Sequence, residues 1–216
     1  MKKILSTLLV SSMLWWWIQQ SVAQKTITQT TKKEMVELFM DDHNKMIQQS
    51  YSDILKMYGK EQWMEIIKKH LLIEINNERA KAGVNPLQQN IYLNKASQEY
   101  VSFLSIHKNK YYNTSSGAIL QDTHTQYNAD GTKKILMERT MQAWYSSPFV
   151  SENISTWPTT IKEVITCWMN SSAHKKTMLS PEYKDIWLWV SSTENIRVAN
   201  FGKPDIKNRK RTIQSS

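Results

Sequence analysis

The sequence predicts an α+β fold, and three observations point to it. Apolar residues recur at helical spacing through most of the first half of the chain. A Ser/Thr-x-x-Glu capping box, Thr160 to Glu163, opens a further helix. Two apolar segments near the end, 186–190 and 196–202, are joined by the turn residues 193–195 and predict a β-hairpin. Helices that precede and follow strands in this order are typical of mixed α and β domains.

Residues 1–23 have the composition of a secretory signal peptide. Lys2 and Lys3 form a basic start, residues 4–18 are apolar, and small residues precede a cleavage point at Gln24. The apolar stretch is shorter than the about 20 residues that a membrane-spanning helix needs. We therefore expect a protein that is secreted or lies in the cell envelope or periplasm, with no stable membrane span after cleavage.

Residues 24–60 are predicted to form a helical N-terminal extension. Thr31 and Glu34 make a capping box, and apolar residues follow at spacings of mostly three, four or seven as far as Tyr58. Gly59 is expected to end this helix. The extension can pack against the following domain or contact a second copy of the chain, and the sequence does not choose between them.

A domain is predicted over 61–203, followed by a basic, flexible tail over 204–216. Its first helix should run from about Glu61 to Ala82, with Gly83 as a left-handed stop. A second helix should run from about Ile91 to His107. Residues 108–121 are polar and aromatic and rich in Asn and Ser, which predicts a surface loop.

The segment from Ser151 to His174 carries most of the candidate chemistry. Glu152 lies in a strand-like start, and Glu163 and His174 follow in or just beyond the capped helix. At about 100° per residue, Glu163 and His174 would lie within roughly 20° of each other if the helix continued. The sequence therefore predicts that both side chains point the same way, with Glu152 reaching them from the neighbouring strand.

These residues resemble the core of the CAP superfamily, also called the SCP or PR-1-like domain. The chain keeps the family's spacing at Glu152-Asn153-Ile154, Thr160, Glu163-Val164, Trp168-Met169-Asn170-Ser171 and His174, and departs from it at Ser151, Ile161, Ser172 and Ala173. The resemblance covers about residues 66–203. It implies a three-layer α-β-α sandwich with a central antiparallel sheet. Secreted eukaryotic members are rich in disulfides and this chain has one cysteine, so the plain bacterial secreted type is expected.

Position-by-position transfer of the family's four cleft residues gives His124, Glu152, Glu163 and His174. The two imidazoles, His124 and His174, can ligate a divalent metal such as zinc, with the carboxylates orienting ring N–H groups. The same four side chains can instead act as acid and base without a metal. His107 is a rival to His124, although no motif surrounds it, and the capping box alone would explain Glu163.

Trp187 and Trp189 stand where the resemblance implies glycines. They are two residues apart and so share one face of a strand. Either they fill the core as large apolar side chains, or they form an aromatic platform that lines the ligand site together with Asn153. Core packing is the simpler interpretation of the pair.

Composition narrows the functional classes. The formal net charge is +9, and much of the excess lies in residues 1–23 and 203–216, so nothing indicates a nucleic-acid binder. Cys167 is the single cysteine, which excludes an intrachain disulfide, and it is expected to be buried. There is no Ser-His-Asp set, His-Glu-x-x-His motif or phosphate loop.

The sequence thus predicts a secreted binding module whose His/Glu cleft takes a divalent metal and a small ligand, lipid or peptide. A metal-assisted extracellular hydrolase and an interaction scaffold with a degenerate site are the alternatives. The sequence pattern does not distinguish a catalytic cleft from a binding cleft, and it does not indicate the oligomeric state.

Overall fold

The computed structural model describes residues 40–111, 122–156, 158–191 and 196–205. The signal peptide, the capping box at Thr31, the turn at 193–195 and nearly all of the basic tail are predictions that lie outside these residues. Within the described ranges, no helix has both the length and the apolar character needed to cross a membrane.

The chain divides into two compact units, residues 1–45 and 46–216. Residues 40–45 of the first unit are helical. The second unit begins at Met46, upstream of the start at residue 61 expected from the sequence. Residues 46–58 therefore belong largely to the domain's own core, to which they contribute Met46, Ile47, Tyr51, Ile54 and, partly buried, Tyr58.

Helix α1 (Tyr51–Lys81) opens the second unit and bends at one glycine. Its N-cap Ser50 accepts a hydrogen bond from the Asp53 amide at 3.1 Å. Gly59 has φ +77°, a left-handed conformation that glycine adopts at little cost, so two helical segments meet there. The break at Gly59 agrees with the prediction, whereas the new helix start at Tyr51 was missed because the apolar stripe runs through it.

Within the described ranges, the central sheet consists of β1 (Gln88–Gln89), β4 (Val150–Ser155), β5 (Asp185–Val190) and β6 (Arg197–Gly202). Their order across the sheet is β1-β5-β6-β4. Strands β5 and β4 each pair with β6 in antiparallel fashion, as predicted, whereas the two-residue β1 pairs with β5 in parallel. The sheet is therefore mixed. A separate antiparallel pair consists of β2 (Gln126–Tyr127) and β3 (Lys133–Lys134).

Helices cover both faces of this sheet, which confirms the α-β-α sandwich. On one face, α2 (Ile91–Ile106) packs Tyr100, Val101 and Leu104 against Ile154 and Val198. On the other face, α1 and α5 (Ile161–Asn170) pack on apolar side chains of β5 and β6: Ile186, Leu188, Val190, Ala199 and Phe201. Downstream of α1, the described residues also form the short helices α3 (Lys108–Tyr111), α4 (Leu136–Gln142) and α6 (Ser172–Met178).

Two local details follow from packing. Gly202 ends β6 where a Cβ atom would collide with the ring of Tyr145, whose hydroxyl lies 3.0 Å from Asp185 Oδ2. Cys167 is exposed, so the prediction that it is buried is wrong. Val164, Ile165 and Trp168 occupy the buried face of α5, and Cys167 faces away from it.

Candidate functional site

A cleft of about 340 Å³ lies beside strand β4 and contains both predicted histidines. We call it the histidine cleft and define it by its lining residues: His124, Leu136, Val150, Ser151, Glu152, Asn153, Ala173, His174 and Thr177. Three of the four predicted cleft residues, His124, Glu152 and His174, therefore meet at one place. They come from the loop before β2, from β4 and from α6.

Glu152 is buried beneath the cleft and paired with Arg139 of helix α4. Arg139 Nη1 lies 3.2 Å from Glu152 Oε2, and Nη2 lies 3.0 Å from Oε1. The two side chains are only 5% and 1% exposed. A planar guanidinium matches a carboxylate in this two-bond geometry, and the pairing neutralises a charge that would be costly to bury alone.

The same ion pair fixes His124. Its ring Nδ1 lies 3.2 Å from Glu152 Oε1, and its backbone carbonyl accepts a hydrogen bond from Arg139 Nη2 at 2.9 Å. The hydrogen bond to Glu152 raises the pKa of His124 above its ordinary value, against the opposing effect of burial. In the neutral ring, Nδ1–H donates to Glu152, which leaves Nε2 as a lone-pair donor.

His174 enters the cleft on a different helix from the one expected. Ser171 has an extended backbone conformation that ends α5, and its Oγ accepts from the His174 amide at 3.5 Å as the N-cap of α6. Burial lowers the pKa of His174, and the positive charge of protonated His124 lowers it further. The two rings are thus electrostatically coupled within one cleft.

Asn153 lies on β4 and lines the histidine cleft. It is fully buried, and its Nδ2 donates to the His174 carbonyl at 3.0 Å. Its Oδ1 and the Nδ1 of His174 are buried and have no hydrogen-bond partner among the described residues. Buried polar atoms of this kind usually have a partner, so both atoms are available to a ligand or to water.

Glu163 does not reach the histidine cleft, contrary to the prediction. Its carboxylate accepts from the Thr159 amide at 2.7 Å and from the Thr160 amide at 3.1 Å, which completes the predicted capping box. It lines a different, shallow depression on the outer face of α5. The extrapolated alignment with His174 fails because the helix breaks at Ser171.

Trp187 and Trp189 also lie outside the residues that line the cleft. Both are half-buried, and Lys68 Nζ lies 5.4 Å and 4.9 Å from the two ring centroids. Trp189 packs against the core cluster under α2. Neither indole therefore forms part of the lining of the histidine cleft. His107, the rival histidine, caps α2 and packs against Phe103 in a tilted arrangement with a centroid distance of 4.4 Å.

Arg139 is the important residue that sequence reasoning missed. A usable signal was nevertheless present, because a glutamate in a strand next to apolar residues needs a cationic partner once the strand is buried.

The donor set for a metal consists of two imidazoles. Both oxygens of Glu152 are already bonded to Arg139, and no cluster of three or more His, Cys, Asp or Glu side chains placed to hold a metal occurs in the described ranges. Structural zinc sites use four protein ligands. The described residues therefore do not make a closed structural site, and Glu152 orients the ring of His124 from behind.

A family model described as CAP, the cysteine-rich secretory protein family, matches residues 72–197, which is more than half of the chain. The chain belongs to the CAP family. The match spans β4, α5, α6 and the residues around His124, so the whole histidine cleft lies within the residues that the family model matches. No curated protein matches the sequence.

One solved structure with a TM-score above 0.5 agrees with this assignment at the level of fold, and two others are similar with lower scores. An extracellular protein containing an SCP domain from Bacillus anthracis is similar with a TM-score of 0.52 and 16% identity, over 65% of this chain and 41% of that one. A cysteine-rich secretory protein from Staphylococcus aureus gives 0.48 and 17%, over 67% and 40%. An outer surface protein from Borrelia burgdorferi gives 0.48 and 21%, over 64% and 93%. This CAP chain thus spans about two fifths of the first two proteins and most of the third.

Proposed function

We propose that this CAP domain is an exported binding module whose histidine cleft holds a divalent metal, such as zinc, and a small ligand. The observation that carries the proposal is the fixed orientation of His124, whose Nδ1 faces the buried Glu152–Arg139 pair 3.2 Å away. That arrangement leaves Nε2 to act as a ligand, and His174 supplies a second imidazole in the same cleft.

The metal would leave coordination positions open for the ligand or for water. Zinc commonly has four ligands, and two come from His124 and His174 in this proposal. The buried Oδ1 of Asn153 supplies a hydrogen-bond acceptor beside them. Export is supported by the predicted signal peptide at residues 1–23 and by the secretory description of the family.

Binding is favoured over metal-assisted hydrolysis because the cleft offers no free carboxylate. Among the described lining residues Glu152 is the only acid, and Arg139 and His124 already engage its oxygens. A hydrolase would then depend on His174 as its base, since burial keeps that ring neutral by lowering its pKa. An interaction scaffold with a degenerate site would bind no metal at all.

Zinc titration by calorimetry tests the proposal. The purified protein should bind one zinc ion, and His124→Ala and His174→Ala should each abolish binding, while His107→Ala should not. An imidazole must be neutral to bind a metal, and the pKa of His124 is raised. Zinc affinity should therefore fall as the pH decreases, and the fall should begin above the ordinary histidine pKa of about 6.5.

Binding that survives either cleft substitution would refute the two-histidine site. A screen for hydrolysis of peptides and polysaccharides, with and without chelator, distinguishes a metal-binding module from a metal-assisted hydrolase. Turnover that chelator stops and His174→Ala abolishes would favour the hydrolase. No zinc binding by the unaltered protein would favour the scaffold.

A further inference from the structure

Strand β4 forms one edge of the central sheet, and the histidine cleft lies along this strand. Among the residues that the structure describes, β6 lies on one side of β4 and no strand lies on the other. Four consecutive residues of β4, Val150 to Asn153, line the cleft. The ligand site is therefore bounded by a strand edge as well as by side chains.

The pairing of β4 with β6 shows which backbone groups face outward. In an antiparallel pair, residues alternate between those bonded to the partner strand and those that direct their N–H and C=O away from it. The Lys203 amide donates to the Phe149 carbonyl at 3.0 Å, which places residue 149 in the bonded set. By alternation, Val150, Glu152 and Ile154 point their backbone groups to the free edge.

Some of these outward groups are already used. The Val150 amide donates to the Pro148 carbonyl at 3.1 Å, and the Ile154 carbonyl accepts from the Trp168 indole at 3.4 Å. Among the described residues, no partner is seen for the amide and carbonyl of Glu152 on that edge. The open part of the strand edge therefore coincides with the histidine cleft.

We propose that the ligand of the histidine cleft is a short, extended peptide that pairs with β4 opposite Glu152. This inference rests on the proposed function and names its ligand class. A peptide residue in that position accepts from the Glu152 amide and donates to the Glu152 carbonyl, the pattern by which strands are added to sheet edges. A hydrocarbon chain satisfies neither group.

The side chains of the cleft suit the two faces of such a strand. Residues of an added strand alternate between faces. Glu152 reaches His124 and Arg139 on one face, while Asn153 contacts His174 on the other. The unpartnered Asn153 Oδ1 and His174 Nδ1 give polar contacts for peptide groups. The volume of about 340 Å³ limits the peptide to a few residues.

Amide hydrogen exchange measured by NMR tests this pairing. The probe is a mixture of random-sequence tetrapeptides with blocked ends, added in the presence of chelator. At about 90% saturation, exchange of the Glu152 amide should slow by about tenfold, because only the free protein then exchanges. The matched control is the same mixture with N-methylated backbones, which cannot donate ladder hydrogen bonds and should not protect.

A pair of substitutions on α6 checks the location. Ala173 is exposed and lines the cleft, so Ala173→Phe should fill the space and abolish protection. The neighbouring Ser172 is exposed outside the cleft, and Ser172→Phe should leave protection intact. Equal protection by both peptide mixtures, or protection that persists in Ala173→Phe, would overturn edge pairing.

Adding zinc in place of chelator separates this inference from the proposed function. If zinc shifts the ring resonances of His124 and His174 while peptides leave the Glu152 amide unprotected, the peptide inference is wrong and the metal site stands. If peptides protect but zinc shifts neither ring, peptide pairing stands and the metal is excluded from the proposed function. If neither has an effect, both proposals fail.

Discussion

Arg139 and Glu152 form a buried two-bond ion pair beneath the histidine cleft, with N–O distances of 3.2 and 3.0 Å. The pair joins helix α4 to strand β4 and gives His124 its orientation through the shared carboxylate. It therefore links the stability of the sandwich to the geometry of the cleft.

Replacing Arg139 should destabilise the domain strongly. Arg139→Met leaves the Glu152 carboxylate buried without its cation, which typically costs about 3–5 kcal/mol of unfolding free energy. Urea denaturation measures the loss. The matched control is Lys203→Met, which breaks the exposed Lys203–Glu182 pair and should leave the midpoint unchanged. An Arg139→Met protein as stable as the unaltered chain would show that the pair contributes little.

The pKa values of the two cleft histidines should be shifted in opposite directions. The pKa of His124 should lie above, and that of His174 below, the ordinary histidine value of about 6.5. NMR titration of the ring protons measures both. In Glu152→Gln the pKa of His124 should fall, because the carboxylate is gone. In His124→Gln the pKa of His174 should rise, because a positive neighbour is removed. Unchanged values in both variants would contradict the described contacts.

The two pKa shifts determine how the free energy of unfolding should change with pH. Because the folded pKa of His124 is raised, its contribution is fully present below about pH 6.5 and is lost as the pH rises through the folded pKa. Because the folded pKa of His174 is lowered, its contribution is present above about pH 6.5 and is lost as the pH falls through the folded pKa.

Glu163 should matter for helix α5 and not for the metal. Glu163→Ala removes one half of the capping box and Thr160→Ala the other, so both should lower the melting temperature by similar amounts. Zinc affinity, measured by calorimetry, should stay the same in both variants, because Glu163 lies outside the histidine cleft. Loss of zinc binding in Glu163→Ala alone would restore the four-residue site expected from the family.

Trp187 and Trp189 should contribute to the stability of the fold and not to the binding of zinc or peptide. The rings are half-buried and lie under the Lys68 ammonium, so Trp189→Ala should cost about 3 kcal/mol, the lower end for removing a core aromatic side chain. Chemical denaturation gives this value, and Trp187→Ala should behave alike. Unaltered stability combined with weaker peptide or zinc binding would mean that the indoles face the ligand.

Much of the fold could be predicted from the sequence because its signals are local. The capping box at Thr160, the glycine at 59 and the β5–β6 pair agree with the structure. The second helix start at Tyr51 was missed, since the same apolar stripe continues across the turn that Ser50 caps. The parallel pairing of β1 was also missed, because two polar residues carry no strand pattern.

Part of the candidate site could also be predicted, but from the family resemblance and not from local structural signals. Residue types at family spacings located His124, Glu152, Asn153 and His174, which the structure brings together. Spacing alone could not show that Ser171 interrupts the helix, and that interruption separates Glu163 from His174. Nor could it pair Glu152 with Arg139, because that contact depends on how α4 packs against β4.

The central claim is that His124 and His174 hold one metal ion between them. Crystals grown with zinc, measured at the zinc absorption edge, test it most directly. We predict a single anomalous peak about 2.0–2.1 Å from one ring nitrogen of His124 and one of His174, absent in His124→Ala. A peak at only one of these histidines, or none in the histidine cleft, would contradict the account.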